Sequence, residues 1–209
     1  MIKYKLTDQK LQTLNGCQWV IGEWKETNGE GPLAGPGWLH CYDSPLLAVL
    51  LNPAHANIDT PIGWECEVEG KSLHDFGRQS GYMRMRLIKE TPLPVVTAEQ
   101  RVCFSILCAM EVCDHQHWRT WAQNWLLGKD RSAEAVRASW SAGYDMMTKE
   151  RGAARASEEA ALAAVAVDEW AKVWMASETV AWKAAKAAFE ATRIQYLDLC
   201  AIAEKAMKG

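Results

Sequence analysis

The sequence predicts an α+β protein, with a small antiparallel sheet and packed helices, followed by an Ala/Trp-rich helical hairpin or bundle. All seven prolines and ten of the fourteen glycines precede residue 128. Alanine, the residue with the lowest helical cost, supplies 19 of the last 60 residues. Segments of the first half alternate apolar and polar residues, as half-buried strands do. We therefore assign residues 1–128 to an α+β domain and residues 129–209 to a helical domain or tail.

Short apolar or alternating segments, separated by turns, predict the strands of the first domain. A run rich in glycine and proline predicts a loop at residues 27–37. The third strand is expected to end at Gly70. The predicted strands are residues 2–6, 18–24, 64–70 and 82–88.

Two predicted strands carry opposite charges on one face. Glu65, Glu67 and Glu69 alternate with apolar residues in the third strand, and Arg84 and Arg86 do so in the fourth. If the two strands pair, these arginines face the glutamates and stabilise the sheet modestly. We interpret the three carboxylates as a solvated strand face.

Two helix starts have recognisable capping residues. Ser44 is an N-cap candidate with Pro45 at the first helical position, and this apolar helix is expected to end before Pro53. A capping box that begins at Thr97 predicts a helix over about 98–113. Because this second helix is apolar around most of its circumference, we expect it at the centre of a core.

Large aromatic residues recur at helical spacing in the second half. One helix carries Trp118, Trp121 and Trp125 on one face and ends at Gly128. Another begins after Ser132 and runs to about residue 150, with a break at Gly152. Other large aromatics of this half include Trp140, Trp170, Trp174, Trp182, Phe189 and Tyr196.

Residues 153–206 are predicted to form one or two long helices. We favour two, with a break near Ser177 and a return, because one helix would extend roughly 80 Å. Trp182, Phe189 and Tyr196 are spaced by seven residues, which predicts a heptad-like packing seam.

The composition narrows the class of partner. The net charge is −3, without a basic run, so a nucleic-acid partner is not expected. No apolar run approaches the roughly 18–20 residues that span a bilayer, and no signal peptide is evident, so we expect a cytoplasmic protein away from the membrane. The seven cysteines are interpreted as reduced, buried thiols.

No catalytic, cofactor or metal motif stands out. Cys113 and His117 are four residues apart and could share a helix face toward zinc. The other two ligands are not evident, although His40 and Cys41 are adjacent candidates, and polar capping between two helices explains the segment more simply. We therefore predict no catalytic residue, no cofactor and no metal.

The best candidate for binding is the segment 37–45, which follows the loop and leads into a helix N-terminus. Such a terminus presents amide donors to an anion or a carboxylate. The alternative is a buried strand with a helix cap. We expect an exposed tryptophan anchor, Trp38 first and one of Trp170, Trp174 or Trp182 second. The predicted partner-binding residues are Trp38, His40, Tyr42 and Asp43.

Four motifs in residues 1–127 resemble an uncharacterised domain of phage and prophage accessory proteins, some of which have an Ala/Trp-rich helical tail. The motifs are Gly16-Cys17-Gln18-Trp19 with Gly22, Gly37-Trp38-Leu39-His40-Cys41 with Ser44-Pro45-Leu46, Glu65-Cys66-Glu67-Val68, and Met85-Arg86-Leu87-Ile88-Lys89-Glu90.

This resemblance implies a viral or mobile-element protein that acts in the host cytoplasm. Phage accessory proteins often antagonise host defence by direct binding. We therefore expect a non-enzymatic interaction protein whose partner is a host protein or complex, with inhibition of a host defence complex as the specific hypothesis. A second copy of the chain, bound through the helical tail, is a further expected partner.

An enzyme remains the alternative. The segment before the first helix is similar to one in ADP-ribosyltransferase-like folds, where a Gly-aromatic-His segment lies near the nicotinamide site. That similarity implies a nucleotide-using transferase in which Tyr42 and Glu67 act as the tyrosine and glutamate of the site.

Overall fold

The computed structural model describes residues 1–132, 134–139, 151–170 and 176–208. The chain has an α+β fold, as predicted, and divides into two compact units, Met1–Val95 and Val96–Gly209. The boundary therefore differs from the predicted one at residue 128. The reason is that the two helices before Gly128 belong to the helical unit rather than to the sheet.

The first unit contains one helix and two sheets. Helix α1 spans Pro45–His55, and a single 3-10 turn spans Leu14–Gly16. The main antiparallel sheet has the order β1-β6-β7-β4, with β5 also paired to β7, and β2 pairs with β3. The strands are β1 Ile2–Thr7, β2 Gln12–Thr13, β3 Cys17–Gln18, β4 Lys25–Glu26, β5 Leu39–Cys41, β6 Ile62–Asp75 and β7 Gln79–Thr91.

The main sheet closes on itself. Strand β1 pairs with β6, β6 with β7, and β7 with β5. The residue after β5, Tyr42, then exchanges two backbone hydrogen bonds with Tyr4 of β1, at 2.8 and 3.0 Å. These four strands form a ring, which is a small barrel.

The barrel interior is mostly apolar and is filled by alternate residues of each strand, which point inward. Trp19, from the segment after β3, belongs to the same cluster. The buried interior residues are Trp19, Leu39, Cys41, Trp64, Cys66, Val68, Tyr82, Met85 and Leu87.

Two strand predictions are wrong. Only Gln18 of the predicted strand 18–24 lies in a strand, β3, and β4 begins beyond the predicted end, at Lys25. Between them, Ile21 makes an isolated bridge to Leu87. Strand β6 does not end at Gly70 but continues to Asp75. Gly70 has a φ of +82° inside a β-bulge, where the register shifts between Glu69 and Ser72. A bulge bends a strand without ending it, and here it helps β6 to curve round the barrel.

The predicted charge pairing between the two long strands is confirmed. Glu67 lies opposite Arg86, and Glu69 lies opposite Arg84. Their ion pairs measure 2.5 and 2.8 Å, and both guanidinium groups lie within 4.7 Å of the Trp24 ring centre. Because these side chains are partly exposed, each pair contributes only about 0.2–1 kcal/mol.

Helix α1 begins as predicted and ends later. The Ser44 hydroxyl accepts a hydrogen bond from the Leu47 amide at 3.0 Å. Pro53 lies inside the helix, which ends at His55, so the predicted end before Pro53 is wrong. A proline removes one helical hydrogen bond. The Asn52 side chain holds the last turn by bonding both the amide and the carbonyl of Ile58, at 3.1 and 2.9 Å.

The helical unit is organised around α2. Its capping box is confirmed, since Thr97 and Gln100 each bond the other's backbone amide. Residues 102–109 of α2 are buried, and α2 packs against α4, α5 and α6, which confirms its central position. Residues 134–139 are also helical. The helices are α2 Ala98–Met110, α3 Gln116–Leu126, α4 Arg151–Trp170, α5 Ala176–Thr192 and α6 Leu199–Ala206.

The connection between α2 and α3 is made by polar caps. Nδ1 of His115 accepts a hydrogen bond from the Trp118 amide at 3.4 Å. The Arg119 guanidinium donates to the carbonyls of Met110 and Cys113 at 2.6 and 2.9 Å, where α2 ends. A cation at this end satisfies carbonyls that have no helical donor. The capping interpretation of this segment is confirmed.

Helices α4 and α5 pack against each other as an antiparallel hairpin. Glu159, near the middle of α4, forms an ion pair with Lys183, near the middle of α5, at 3.1 Å. Gly152, near the start of α4, lies against Ile194 beyond the end of α5. The predicted return is therefore confirmed. The predicted break near Ser177 is wrong, because Ser177 lies within α5, and α6 is a separate third helix in the range 153–206. Residues 171–175, between the two helices in sequence, lie outside the described residues, as does Trp140.

Two details of this hairpin differ from the prediction. Gly152 is the second residue of α4. The heptad seam is wrong, because Trp182 is 42% exposed and Tyr196, beyond the end of α5, is 70% exposed. Alanines pack the hairpin instead, since side chains of one carbon let backbones approach closely. The buried alanines of α4 and α5 are Ala153, Ala154, Ala156, Ala160, Ala161, Ala163, Ala164, Ala166, Ala181, Ala184, Ala185, Ala187, Ala188 and Ala191.

We expect Ala184→Leu to lower the free energy of unfolding by about 1–3 kcal/mol, because the buried position has no room for three more carbons. Chemical denaturation of the two chains measures this. Ala201→Leu, at an exposed position of α6, is the control and should change stability by less than about 0.5 kcal/mol. Equal effects at the two positions would contradict close alanine packing.

Candidate functional site

Trp38 does not form an exposed anchor, so that prediction is wrong. Its side chain is 4% exposed, and its indole N–H donates to the Gly31 carbonyl at 3.1 Å. On the neighbouring strand, a Cβ at Gly81 would overlap Trp38 and Leu33. The loop therefore folds back over Trp38. Its role is to hold the loop on the sheet.

His40 fastens the same loop. Its Nε2 atom donates a hydrogen bond to the Leu33 carbonyl, because a carbonyl only accepts. Burial lowers the pKa of His40, and nearby Lys5 lowers it further. The imidazole is therefore held neutral as a structural donor.

Tyr42 and Asp43 are also held by internal partners. The Tyr42 ring stacks on His55 with centroids 5.7 Å apart, and the phenol bonds Nδ1 of His55 at 3.2 Å. Burial raises the pKa of Tyr42 above its ordinary value. Asp43 is exposed and forms an ion pair with Lys3 at 2.5 Å. Of the four predicted binding residues, Asp43 is exposed, His40 is partly exposed, and Trp38 and Tyr42 are buried.

A lysine lies inside the barrel. Lys5 is 7% exposed, donates to the His40 carbonyl at 2.6 Å and has its ammonium 4.8 Å from the Trp19 ring centre. Burial lowers the pKa of Lys5. The carbonyl and the ring compensate part of the cost of burying the charge. The sequence of β1 did not predict that Lys5 is buried, because a lysine in an alternating strand normally lies on the solvated face.

A polar cluster, which we call the rim cluster, lies at the barrel end nearest the β6–β7 turn. It consists of Ser72, His74 and Ser80. His74 Nδ1 lies 2.9 Å from the Ser80 hydroxyl, and Nε2 lies 3.2 Å from the Ser72 hydroxyl. The Tyr82 ring meets the imidazole edge-on, with centroids 6.1 Å apart. Sequence reasoning missed this cluster because it ended β6 at Gly70. A hairpin extended to Asp75 would have placed His74 opposite Ser80.

The turn between β6 and β7 exposes a large apolar side chain in a strained conformation. Phe76 is 53% exposed and has a φ of +44°, followed by Gly77 with a φ of +80°. The Arg78 amide closes the turn on the Asp75 carbonyl at 2.8 Å. Leu73, three residues before Phe76, is 36% exposed. A bulky residue in the left-handed region is uncommon and points to a functional constraint.

The helical unit exposes Trp182, one of the three tryptophans predicted as an alternative anchor to Trp38. The Trp182 ring is 42% exposed, with the Lys183 and Lys186 ammonium groups 5.1 and 5.4 Å from its centre. The other two candidates, Trp174 and the side chain of Trp170, lie outside the described residues.

Open cavities lie in the first unit. One of about 490 Å³ is lined by residues of the loop, among them Asn28, Glu30 and Pro36. One of about 310 Å³ is lined by polar residues, among them Asp8, Gln12 and Asp59. Neither cavity is lined by a residue of the rim cluster or by a predicted binding residue.

The proposed zinc pair does not converge with other ligands. Cys113 is buried, whereas His117 is exposed. Within the described ranges, no group of three or more His, Cys, Asp or Glu side chains is placed to hold a metal ion.

The transferase alternative gains no geometric support. Tyr42 is buried and bonded to His55, and Glu67 accepts two hydrogen bonds from Arg86 at 2.5 and 2.8 Å. Both side chains are thus engaged within the unit, and neither lines either of the two cavities.

Comparison with protein families, curated proteins and solved structures finds no match to this chain. The resemblance to phage accessory proteins therefore remains a prediction. Across the described part of the chain, no helix has the length and apolar character that crossing a bilayer requires.

We expect stability to fall in acid through His55. Burial, with Arg78 and His40 nearby, lowers its pKa to about 3, whereas the unfolded value is about 6.5. The unfolded chain therefore binds the proton first, and the stabilisation present above pH 6.5 is lost toward pH 3, at up to about 1.4 kcal/mol per pH unit. Unfolding curves from pH 7 to pH 4 measure this slope.

His55→Gln should flatten the dependence of stability on pH. His117→Gln, at an exposed histidine, is the control, and its stability should vary with pH in parallel with that of the natural chain. Parallel curves for all three chains would show that His55 does not titrate as buried neutral imidazole.

We expect a thiol reagent to label native protein at Cys17 and Cys200 first. These two side chains are partly exposed, and the other five cysteines are buried. Burial also raises the pKa of Cys41 to about 12, and it raises those of Cys66 and Cys108, so little reactive thiolate forms. Peptide mass spectrometry after timed labelling tests this order. Early labelling of Cys41 would contradict it.

Proposed function

We propose that this chain acts by binding a protein of its host cell, and that the tip of the β6–β7 hairpin is part of the binding surface. The observation that carries the proposal is Phe76, a large apolar side chain exposed at a strained backbone position. Leu73 adds apolar surface on the same hairpin.

The strain at Phe76 favours a role in binding over a role in folding. Turns with positive φ at both central positions prefer Asn-Gly, because a Cβ is disfavoured there. Phenylalanine at the first position costs about 1–2 kcal/mol. Its half-exposed ring gains little burial in return. A partner that buries the ring offsets this cost, as aromatic anchors do at interfaces.

The partner class rests on the resemblance to phage accessory proteins. A viral protein of this kind acts in the cytoplasm of a bacterial host, and inhibition of a host defence complex is the specific form of the proposal. The net charge of −3 and the absence of a basic run favour a protein over a nucleic acid as the partner.

Phe76→Asn should raise the free energy of unfolding by about 1 kcal/mol, because asparagine tolerates the left-handed conformation. The same change should lower capture of the host partner at least tenfold, because the aromatic anchor is lost. Thermal unfolding and quantitative pull-down from bacterial lysate, read by mass spectrometry, measure the two effects.

Val95→Asn is the matched control, since Val95 is 91% exposed outside the hairpin. It removes exposed apolar surface without touching the turn and should leave capture unchanged. A Phe76→Asn chain that is more stable and still captures the same proteins at the same level would refute the hairpin tip as a binding surface.

A further inference from the structure

The rim cluster has the connectivity of an activated serine. A nucleophilic serine needs a base within hydrogen-bond reach, and that base needs a third group to orient it. Here the Ser72 hydroxyl lies 3.2 Å from His74 Nε2, and the Ser80 hydroxyl lies 2.9 Å from His74 Nδ1. Both of these hydrogen-bond partners of the imidazole are hydroxyl groups.

The solvent exposure of the two serines decides which of them can act as the nucleophile. A neutral imidazole has one N–H donor and one acceptor nitrogen. Ser80 is 3% exposed, so its hydroxyl cannot meet a substrate. Ser72 is partly exposed and His74 is exposed. The productive arrangement therefore has the Ser72 hydroxyl donating to Nε2, and Nδ1–H donating to Ser80.

The surrounding barrel holds this arrangement in place. Ser72 lies opposite Tyr82, and His74 lies opposite Ser80, so all four side chains share one face of the hairpin. The Tyr82 ring stands at 88° to the imidazole. The Cys41 thiol lies 3.6 Å from the Ser80 carbonyl, which ties this position to β5.

We propose that Ser72 is a nucleophile for acyl transfer, with His74 as general base and Ser80 as the residue that orients His74. The substrate class is carboxylic esters that reach the barrel rim from solvent. This activity goes beyond the proposed binding function and does not depend on it.

The reaction proceeds through an acyl-serine. Ser72 Oγ bonds to the ester carbonyl carbon as its proton passes to His74 Nε2. The bond to the leaving oxygen then breaks, and the leaving alcohol takes that proton. Water attacks the acyl group and gives a proton to Nε2, which returns it to Ser72 Oγ as the carboxylic acid leaves. No oxidant, reductant or other co-reactant is required.

The test uses the full chain with a fluorophosphonate probe and with p-nitrophenyl acetate. We expect one phosphonyl adduct on the peptide that contains Ser72, formed with loss of fluoride, and none on Ser72→Ala. His74→Gln keeps hydrogen-bonding groups beside both serines but is not basic, so both rates should fall about 10²–10⁴-fold. His117→Gln, at an exposed histidine of α3, is the control and should leave both rates unchanged.

The role of Ser80 is tested by replacement and rescue. Ser80→Ala should slow labelling of Ser72, and Ser80→Thr, which restores the hydroxyl, should recover the rate. Circular dichroism of each variant establishes that the fold is retained.

Three results would each overturn the proposal. The first is the absence of an adduct on the natural chain. The second is ester hydrolysis that survives Ser72→Ala, because an exposed imidazole then reacts directly. The third is a folded His74→Gln chain that reacts as fast as the natural one.

Discussion

The first unit depends on closure of its sheet through the paired backbones of Tyr4 and Tyr42. Without these two hydrogen bonds, β1 and β5 would each be the edge of an open sheet. Closure removes those edges and surrounds the interior on all sides. It also explains why Lys5 is buried although it lies in the first strand, since the ring of strands surrounds its side chain.

The same closure explains why the segment 37–45 is structural. This segment supplies β5 and the closing residue, so its side chains are needed on both faces of the barrel wall. Trp38 and His40 bind loop carbonyls, and Tyr42 stacks on α1. A cluster of aromatic, imidazole and carboxylate groups in sequence resembles a binding site. Here these groups cluster because one short segment must contact the loop, α1 and β1.

The helical unit is built on a different constraint, which is the close approach of backbones. Its large aromatic residues were expected to pack the hairpin, yet alanine does so and Trp182 is exposed. Around α2, by contrast, bulky side chains such as Phe104 and Trp118 are fully buried. Small residues line the α4–α5 contact, whereas large ones fill the space around α2, as dense packing requires.

The sequence by itself determined the features that are set by local chemistry. The α+β class, the caps at Ser44 and Thr97, and the Glu–Arg pairing follow from residue types and their spacing. Only the tertiary structure decided which aromatic residues are buried, how far β6 extends beyond Gly70, and that His74 meets Ser72 and Ser80. These features depend on the bulge at Gly70, which lets the hairpin continue, and on barrel closure, which joins strands distant in the chain. The alternation of residues along one strand predicts neither of them.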